Sequence, residues 1–432
     1  MKYDYIGFSL IVCGGSGCIF KVHGVDYMYV LTAKHLIEGQ KVTVKRQFID
    51  EDGQPKEISL KVLGEPFLNK DVNKDAAILK VEYLPAIESL ARWDTPLTID
   101  TEMTLAGFPN SRSKKTYGFR MDKLTSRNSK EYNYIECKLS TPSTYGEIVG
   151  LSGGGTFHSS NGQHYLTGIQ SKMAAEDDEE MLNNVDIMPL AFFDDIIAEH
   201  DELVPLVSEH LLCFSTLKSY ALKLEGCYGA VQMDFTRNYL QDITDEIIAN
   251  KLTPTVIREF FTSKLLVYEE DDTVLGSRGL WIAWLEFLVI LRIIKEEQIS
   301  GKNIESLFNE FRLIYSDTDG DWTNELPKIF RSNFYGMSQD AKVIVATQAP
   351  PVKWVIANKV IPNIISAHPL TKKHMQIDVG LTHPLQNFKL MHLYAFQRIG
   401  IIDKEDEYYN FSALNEPELF EKLKTEFNAI FA

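Results

Sequence analysis

Three short segments, each set in an apolar strand-like run, constrain this chain more than anything else in it. They are Leu31-Thr32-Ala33-Lys34-His35, Asp75-Ala76-Ala77-Ile78-Leu79 and Gly150-Leu151-Ser152-Gly153-Gly154-Gly155. They supply a histidine, an aspartate and a serine in the order His35, Asp75, Ser152, spaced 40 and then 77 residues apart. Acyl transfer by serine needs a hydroxyl, a base to take its proton, and an acid that holds the base in the right tautomer. It also needs backbone N–H groups aimed at the oxyanion, and a turn without side chains lets a substrate carbonyl reach them. A serine in a glycine-rich run is usually a loop, and an Asp-Ala-Ala-Ile-Leu run is usually a buried strand. The order and compact spacing of all three point instead to one catalytic constellation.

The first 190 residues read as β structure. Lys41–Phe48 and Lys56–Leu63 are alternating or β-branched runs joined through Asp50-Glu51-Asp52-Gly53, a hairpin signal. Further strands are expected near Asp75–Val81, Thr101–Ala106, Tyr132–Leu139, Tyr165–Ser171 and Val185–Pro189, then a helix over Ala191–His200 with Asp194 and Asp195 outward. Regular short strands with turn signals suggest a barrel. After about residue 205 the pattern becomes helical. Thr253-Pro254 is an N-cap with proline at the first helical position, opening an amphipathic stretch to Leu266. Helices are also expected over Gly279–Glu297, Lys302–Tyr315, Phe388–Ile399 (stopping at Gly400) and Glu416–Phe431, with strand-like runs at Ala341–Thr347 and Trp354–Ile361. The expected division is 1–204 and 205–432.

The N-terminal segments resemble the trypsin-like, or chymotrypsin-fold, serine peptidases, and among them the compact Deg-type branch. Gly15-Ser16-Gly17-Cys18-Ile19-Phe20 is similar to the opening strand of that fold, and Tyr29–His35 to the strand that delivers the histidine, with Lys34 where alanine is usual. Leu105-Ala106-Gly107-Phe108-Pro109 resembles the turn that opens the second barrel, Gly150–Gly154 the G-x-S-G-G nucleophile loop, and Thr167–Ser171 the strand that follows it. The resemblance covers about residues 5–200. It implies an all-β double barrel of six strands each, followed here by a mainly α-helical C-terminal domain. It further implies a serine endopeptidase acting on protein substrates without a cofactor. In it Ser152 is the nucleophile, His35 the base, Asp75 its orienting acid, and the N–H groups of Gly150 and Ser152 the oxyanion hole. Gly168, Ile169 and Gln170 are expected to face substrate. Leu151 stands where digestive relatives carry an Asp that pairs with a freed N-terminus, and residues 1–15 lack an activation-type start, so control by zymogen cleavage is not expected. Gly155 replaces a frequent proline and suggests a looser nucleophile loop, with a collapsed oxyanion hole as one resting state. No Asp sits confidently at the base of the specificity pocket, around Tyr145, Gly146 and Gly168–Met173, so a small or apolar residue is expected before the cleaved bond.

Composition narrows the remaining classes. The 432 residues, 44% hydrophobic and 24% charged, suit an ordinary folded protein of two domains. A net charge of −16 argues against general affinity for nucleic acid. Cys13, Cys18, Cys137, Cys213 and Cys227 are odd in number and sparse, and Leu36 follows the histidine where secreted relatives close a disulfide. That pattern fits a reducing compartment, the cytoplasm. Cys13 and Cys18 lack further ligands for zinc and read as buried strand thiols. The apolar stretch Tyr5–Cys13 merges into the first strand, so it is not read as a leader. Leu280–Ile294 is interrupted by Glu286 and Arg292 and is shorter than the ~20 residues a membrane span needs.

Other features in the chain are weaker. Asp317-x-Asp319-Gly320-Asp321 opens like a calcium loop, but Trp322 and Lys328 occupy its required Gly and Glu positions, leaving a turn. His368, His374, His383 and His392 lack metal-ligand spacing, which favours a structural or interface role, and Glu176–Glu180 reads as a solvated acidic loop. Gln376–Gly380 with Phe388–Leu393 resembles the C-terminal domain of effector subunits in bacterial ABC-three-component (Lamassu-type) anti-phage systems. That resemblance implies docking on an SMC-like ATPase with a small accessory subunit, and a regulated protease effector. Self-association into a homo-oligomer is also compatible. The Phe388, His392, Tyr394 and Phe396 spacing suggests an exposed docking surface within 368–432. Two alternatives are a Deg-like quality-control peptidase, for which no peptide-binding module follows the barrel, and a catalytically silent assembly module.

Overall fold

The computed structural model describes residues 5–50, 53–93, 97–113, 118–143, 145–160, 163–173, 183–227, 231–318, 320–338, 340–348, 350–356 and 389–431. The acidic run Glu176–Glu180, the Gln376–Gly380 segment, Asp319, His368, His374, His383 and Phe388 lie outside the described residues. The chain divides into two compact units, Met1–Glu209 and His210–Ala432.

The first unit holds two antiparallel sheets. The first contains β1 (Ser9–Val12), β2 (Gly15–Lys21), β3 (Tyr27–Ala33), β4 (Val44–Ile49), β5 (Pro55–Leu60), β6 (Phe67–Leu68) and β7 (Ala76–Glu82), in the order β5-β4-β1-β2-β3-β7-β6. A Val62–Val81 bridge, with Leu63 N–H donating to Lys80 O at 2.8 Å, returns the chain after β5 to β7 and closes the barrel. The β1–β2 turn is Cys13-Gly14, both at positive φ, the geometry a two-residue hairpin requires. Cys13 is therefore half-buried at a turn, where its sulfur accepts from Thr43 N–H at 3.4 Å, while Cys18 is the buried strand thiol.

The second sheet contains β8 (Ala91–Arg92), β9 (Glu102–Gly107), β10 (Arg120–Ser129), β11 (Ile135–Leu139), β12 (Gly155–Ser160), β13 (Gln163–Met173) and β14 (Asn184–Pro189). Pairings β9-β10-β11-β14-β13-β12 and back to β9 form a closed six-stranded ring, with β8 added in parallel on β13. The strand expected from Tyr132 starts only at Ile135, because Tyr132 and Asn133 take positive φ and turn the chain. The helix Ala191–Ala198 buries Phe192, Phe193 and Ile196. Its Asp194 receives both terminal nitrogens of Arg92, at 2.6 and 2.5 Å.

The second unit is mainly helical, with a small parallel sheet. Helix Pro254–Phe261 is capped by the Thr253 hydroxyl, which accepts from Val256 N–H. The apolar helix Arg278–Lys295 starts at a Ser277 cap and buries Trp281, Trp284 and Phe287 completely. Helices Asp234–Ala249, Ile304–Glu310 and Glu416–Phe431 complete the main set. Two expectations are corrected. The Lys302–Tyr315 helix ends at Glu310 and continues as β15 (Phe311–Ser316), and Phe388–Ile399 is not one helix but β17 (Lys389–His392) followed by helix Tyr394–Arg398. These strands flank β16 (Lys342–Thr347) in the order β15-β16-β17, all parallel. The change of period at Leu393 also overturns the exposed aromatic surface: His392 and Phe396 are buried, and the Phe396 ring packs against Phe427 and Phe431 of the last helix. Asp321 caps the Trp322–Glu325 turn through Thr323 N–H. Among the described residues no helix is long and apolar enough to cross a membrane.

Candidate active site

The β3–β7 register sets the site. Ala33 pairs with Ala76, so the turn Lys34–Leu36 after β3 lies beside Asp75 at the head of β7. Lys34 N–H donates to Asp75 O at 2.9 Å, and His35 N–H to Asp75 Oδ1 at 2.9 Å. His35 Nδ1 then meets Asp75 Oδ2 at 2.7 Å. A carboxylate only accepts, so Nδ1 carries the proton and Nε2 is left as the basic nitrogen. Oδ2 also receives the Ser171 hydroxyl at 2.7 Å, and Asp75 N–H donates to the Tyr134 hydroxyl at 3.0 Å. Burial pushes the Asp75 carboxyl upward. The His35 hydrogen bond and charge, with the Ser171 hydroxyl, outweigh that and hold it below the usual carboxylate range. The His35 ring is about half exposed, with 48% of its side chain accessible.

Ser152 sits on a turn fixed at almost every peptide. Ser152 O accepts from Ser16 N–H at 2.8 Å, Leu151 O from Gly154 N–H at 2.7 Å, and Val149 O from Asn110 N–H at 2.7 Å. Gly153 N–H donates to Gln170 O at 2.7 Å, one residue before the Ser171 that bonds Asp75. The serine loop and the His35–Asp75 pair therefore hang on the same end of β13. The N–H groups of Gly150 and Ser152 have no acceptor among the described residues, nor does the Ser152 hydroxyl bond His35. Gly150 lies at φ +96° and a Cβ there would come within 2.6 Å of Asn110 N; Gly153 lies at φ +84° with Ser16 O in the place of a side chain. Leu151 is fully buried, in one apolar cluster with Leu105, Ile148 and Ile187. The looser loop expected from Gly155 is absent, because Gly155 opens β12 and pairs with Ala106 and Ile169.

Gly168, Ile169 and Gln170, expected to face substrate, do not line the cavity beside His35. Their strand is paired on both edges, to β12 and β14, and Ile169 and Gln170 are buried. A register shift after Gln170 releases the chain, and Ser171 and Lys172 line a cavity of about 880 Å³ with His35, Asp75 and Tyr134. The part of β13 that lines this cavity thus begins at Ser171, three residues after Gly168. Ser171 lay inside the quoted strand motif, whereas Tyr134 and Asn110 reach the site only through tertiary contacts that no local pattern announces.

Two closed antiparallel barrels carrying a His–Asp pair and a glycine-rich serine turn define the double-barrel, chymotrypsin-type fold class. Solved structures similar to this unit include Rv3671c from M. tuberculosis H37Rv. Its inactive-form mutant is 18% identical with a TM-score of 0.32, covering 46% of this chain and 89% of that one. The Rv3671c protease in its inactive form is 17% identical, at 0.31, covering 45% and 89%. Kallikrein-related peptidase 10 in complex with Zn2+ is 14% identical, at 0.34, covering 45% and 97%. No curated protein matches. Residues 187–402, half of the chain, match C-terminal domain 4 of the ABC-three component (ABC-3C) systems, and the chain belongs to that family.

Proposed function

We propose that this chain is a serine endopeptidase serving as the protease component of an ABC-three-component assembly. The observation that carries the catalytic part is the His35–Asp75 pair at 2.7 Å beside an open cavity, with the Gly150 and Ser152 N–H groups uncommitted. In this reading His35 Nε2 takes the proton from Ser152 Oγ as the oxygen adds to a peptide carbonyl. Asp75 stabilises the resulting imidazolium, and the two N–H groups receive the oxyanion. The imidazolium returns its proton to the leaving amine, and water then cleaves the acyl-enzyme by the same route. The missing Ser152–His35 hydrogen bond does not oppose this, since such bonds are often long or poorly aligned before substrate arrives.

The family match supports membership of a multi-component system. Our proposal extends it to an SMC-like ATPase and a small accessory subunit as partners, to an anti-phage role, and to a cytoplasmic setting consistent with five free thiols. The docking role falls to the second unit as a folded whole, because Leu419, Leu423 and Phe427 of the last helix are core residues. The proposal is tested by mapping new protein termini in cells expressing the full system with the wild type or Ser152→Ala. Termini that depend on Ser152 are expected. Identical sets in both strains would overturn the peptidase reading.

A further inference from the structure

We propose that the Ser16 side chain is a positioning residue for the oxyanion hole; the inference rests on the peptidase reading above. Ser16 is fully buried on β2, in the first barrel, yet every group it offers is spent on the nucleophile loop or its support. Its hydroxyl donates to Gly150 O at 2.7 Å and accepts from Phe108 N–H at 2.8 Å. Its N–H donates to Ser152 O at 2.8 Å, and its own carbonyl accepts the Thr32 hydroxyl at 2.8 Å.

The geometry explains why these contacts bear on chemistry. A trans peptide keeps C=O and N–H in one plane, pointing in opposite directions. With Val149 O held by Asn110 N–H and Leu151 O held by Gly154 N–H, the N–H groups of Gly150 and Ser152 must point the other way. The peptide between them, Gly150–Leu151, is the remaining hinge. Its N–H is taken by Ile148 O at 2.8 Å and its carbonyl by the Ser16 hydroxyl. Glycine at 150 gives that hinge more rotational freedom than any other residue would, so a side-chain hydrogen bond is needed to fix it. Ser16 thus holds, from the opposite barrel, the carbonyls of both residues whose N–H groups form the hole, Gly150 and Ser152. The resting collapse of the oxyanion hole would have to break its bond to Gly150 or that of Asn110 to Val149. Control of such an enzyme then acts on access or on His35, not on ordering this loop.

The test compares purified full-length wild type, Ser16→Ala and Thr167→Val. Thr167→Val is a control that removes an equally buried hydroxyl bonded within the second barrel, to Thr156. Labelling of Ser152 by a fluorophosphonate is followed at rising reagent concentration, separating the saturating rate from the half-saturating concentration, and amide exchange is read for Phe108 and residues 150–154. Ser16→Ala is expected to lower the saturating rate by about 10- to 100-fold, somewhat less than losing a whole oxyanion donor, with little change in half-saturation and faster exchange at Phe108. Thr167→Val is expected to melt earlier to a similar degree yet label at the wild-type rate. Equal saturating rates for Ser16→Ala and wild type would overturn the positioning role alone, as would an equal loss in Thr167→Val. A wild type in which Ser152 is never labelled would overturn the peptidase reading and the positioning role with it. If Ser16→Ala does not fold, Ser16→Cys, which keeps a small side chain in place but donates only weakly to Gly150 O, substitutes for it with the same expected and contrary results.

Discussion

The two units use β structure in opposite ways. In Met1–Glu209 the described strands are antiparallel except β8, and the two barrels carry the His35–Asp75 pair and the serine turn at strand ends. In His210–Ala432 the three strands are parallel and enclosed by helices, and β15 has no exposed residue along its length. The first arrangement places side chains in a cleft. The second buries its polar groups as internal fasteners. Arg312 on β15 shows this: its side chain is fully buried with no carboxylate partner among the described residues, donates to Asn333 O at 2.6 Å and Tyr335 O at 3.2 Å, and lies over the Phe308 ring. Burial alone pulls it down to about 10.

If chemistry lives in the first unit and scaffold in the second, substitutions should separate cleanly. The largest effects are expected at the triad. His35→Ala should abolish hydrolysis, and Asp75→Asn should lower kcat by about 10⁴, through the wrong imidazole tautomer. Steady-state kinetics with matched melting curves checks both, and near-normal kcat in Asp75→Asn would break the assignment. Next is Arg312→Ala, which takes the guanidinium donors away from the Phe308, Asn333 and Tyr335 carbonyls and leaves a cavity over the Phe308 ring. It should destabilise the second unit by about 3 kcal/mol or more while Ser152 remains reactive. Loss of Ser152 labelling in a variant whose first unit stays folded would mean that the units are not separable.

The smallest expected effect is a difference in pH response. Burial raises Glu286, in the apolar helix, to about 7, against hydrogen bonds from Leu222 N–H and the Gln397 amide. A folded value above the unfolded one of about 4.3 means that its contribution is complete below about 4.3 and lost as pH rises towards 7. Asp75 has the opposite sign. Its depressed folded value means a contribution present above about 3.9 and lost only as pH falls through the lower, folded value. Melting between pH 5 and 8 should therefore show Glu286→Gln removing a stabilisation gained on acidification, and Asp75→Asn leaving that slope unchanged. An unaltered slope in Glu286→Gln would show that another group carries it.

The same contrast explains what the sequence made legible. The antiparallel barrels announce themselves through local signals: Asp50-Glu51-Asp52-Gly53 between two runs, Gly107-Phe108-Pro109 at a turn, and three motifs at strand ends. The parallel strands do not. Phe311–Ser316 is buried on both faces, so it lacks the alternation that marks a half-exposed strand and reads as a continuation of the helix before it. Within the site, His35, Asp75 and Ser152 stand on motifs. The stretch of β13 that reaches the cavity starts at Ser171 and not at Gly168, because a register shift after Gln170 is a property of the β13–β14 pair and not of either strand. Ser16 and Asn110 reach the loop from other strands and turns, through contacts visible only in three dimensions.

The central claim, that Ser152 is a nucleophile activated by His35, is tested most directly by the intact mass and peptide map of the full-length chain after fluorophosphonate treatment, alone and with the other components of its system. The account predicts one adduct on Ser152, absent in Ser152→Ala and strongly reduced in His35→Ala. An unmodified Ser152 under both conditions, or equal labelling when His35 is alanine, would contradict it.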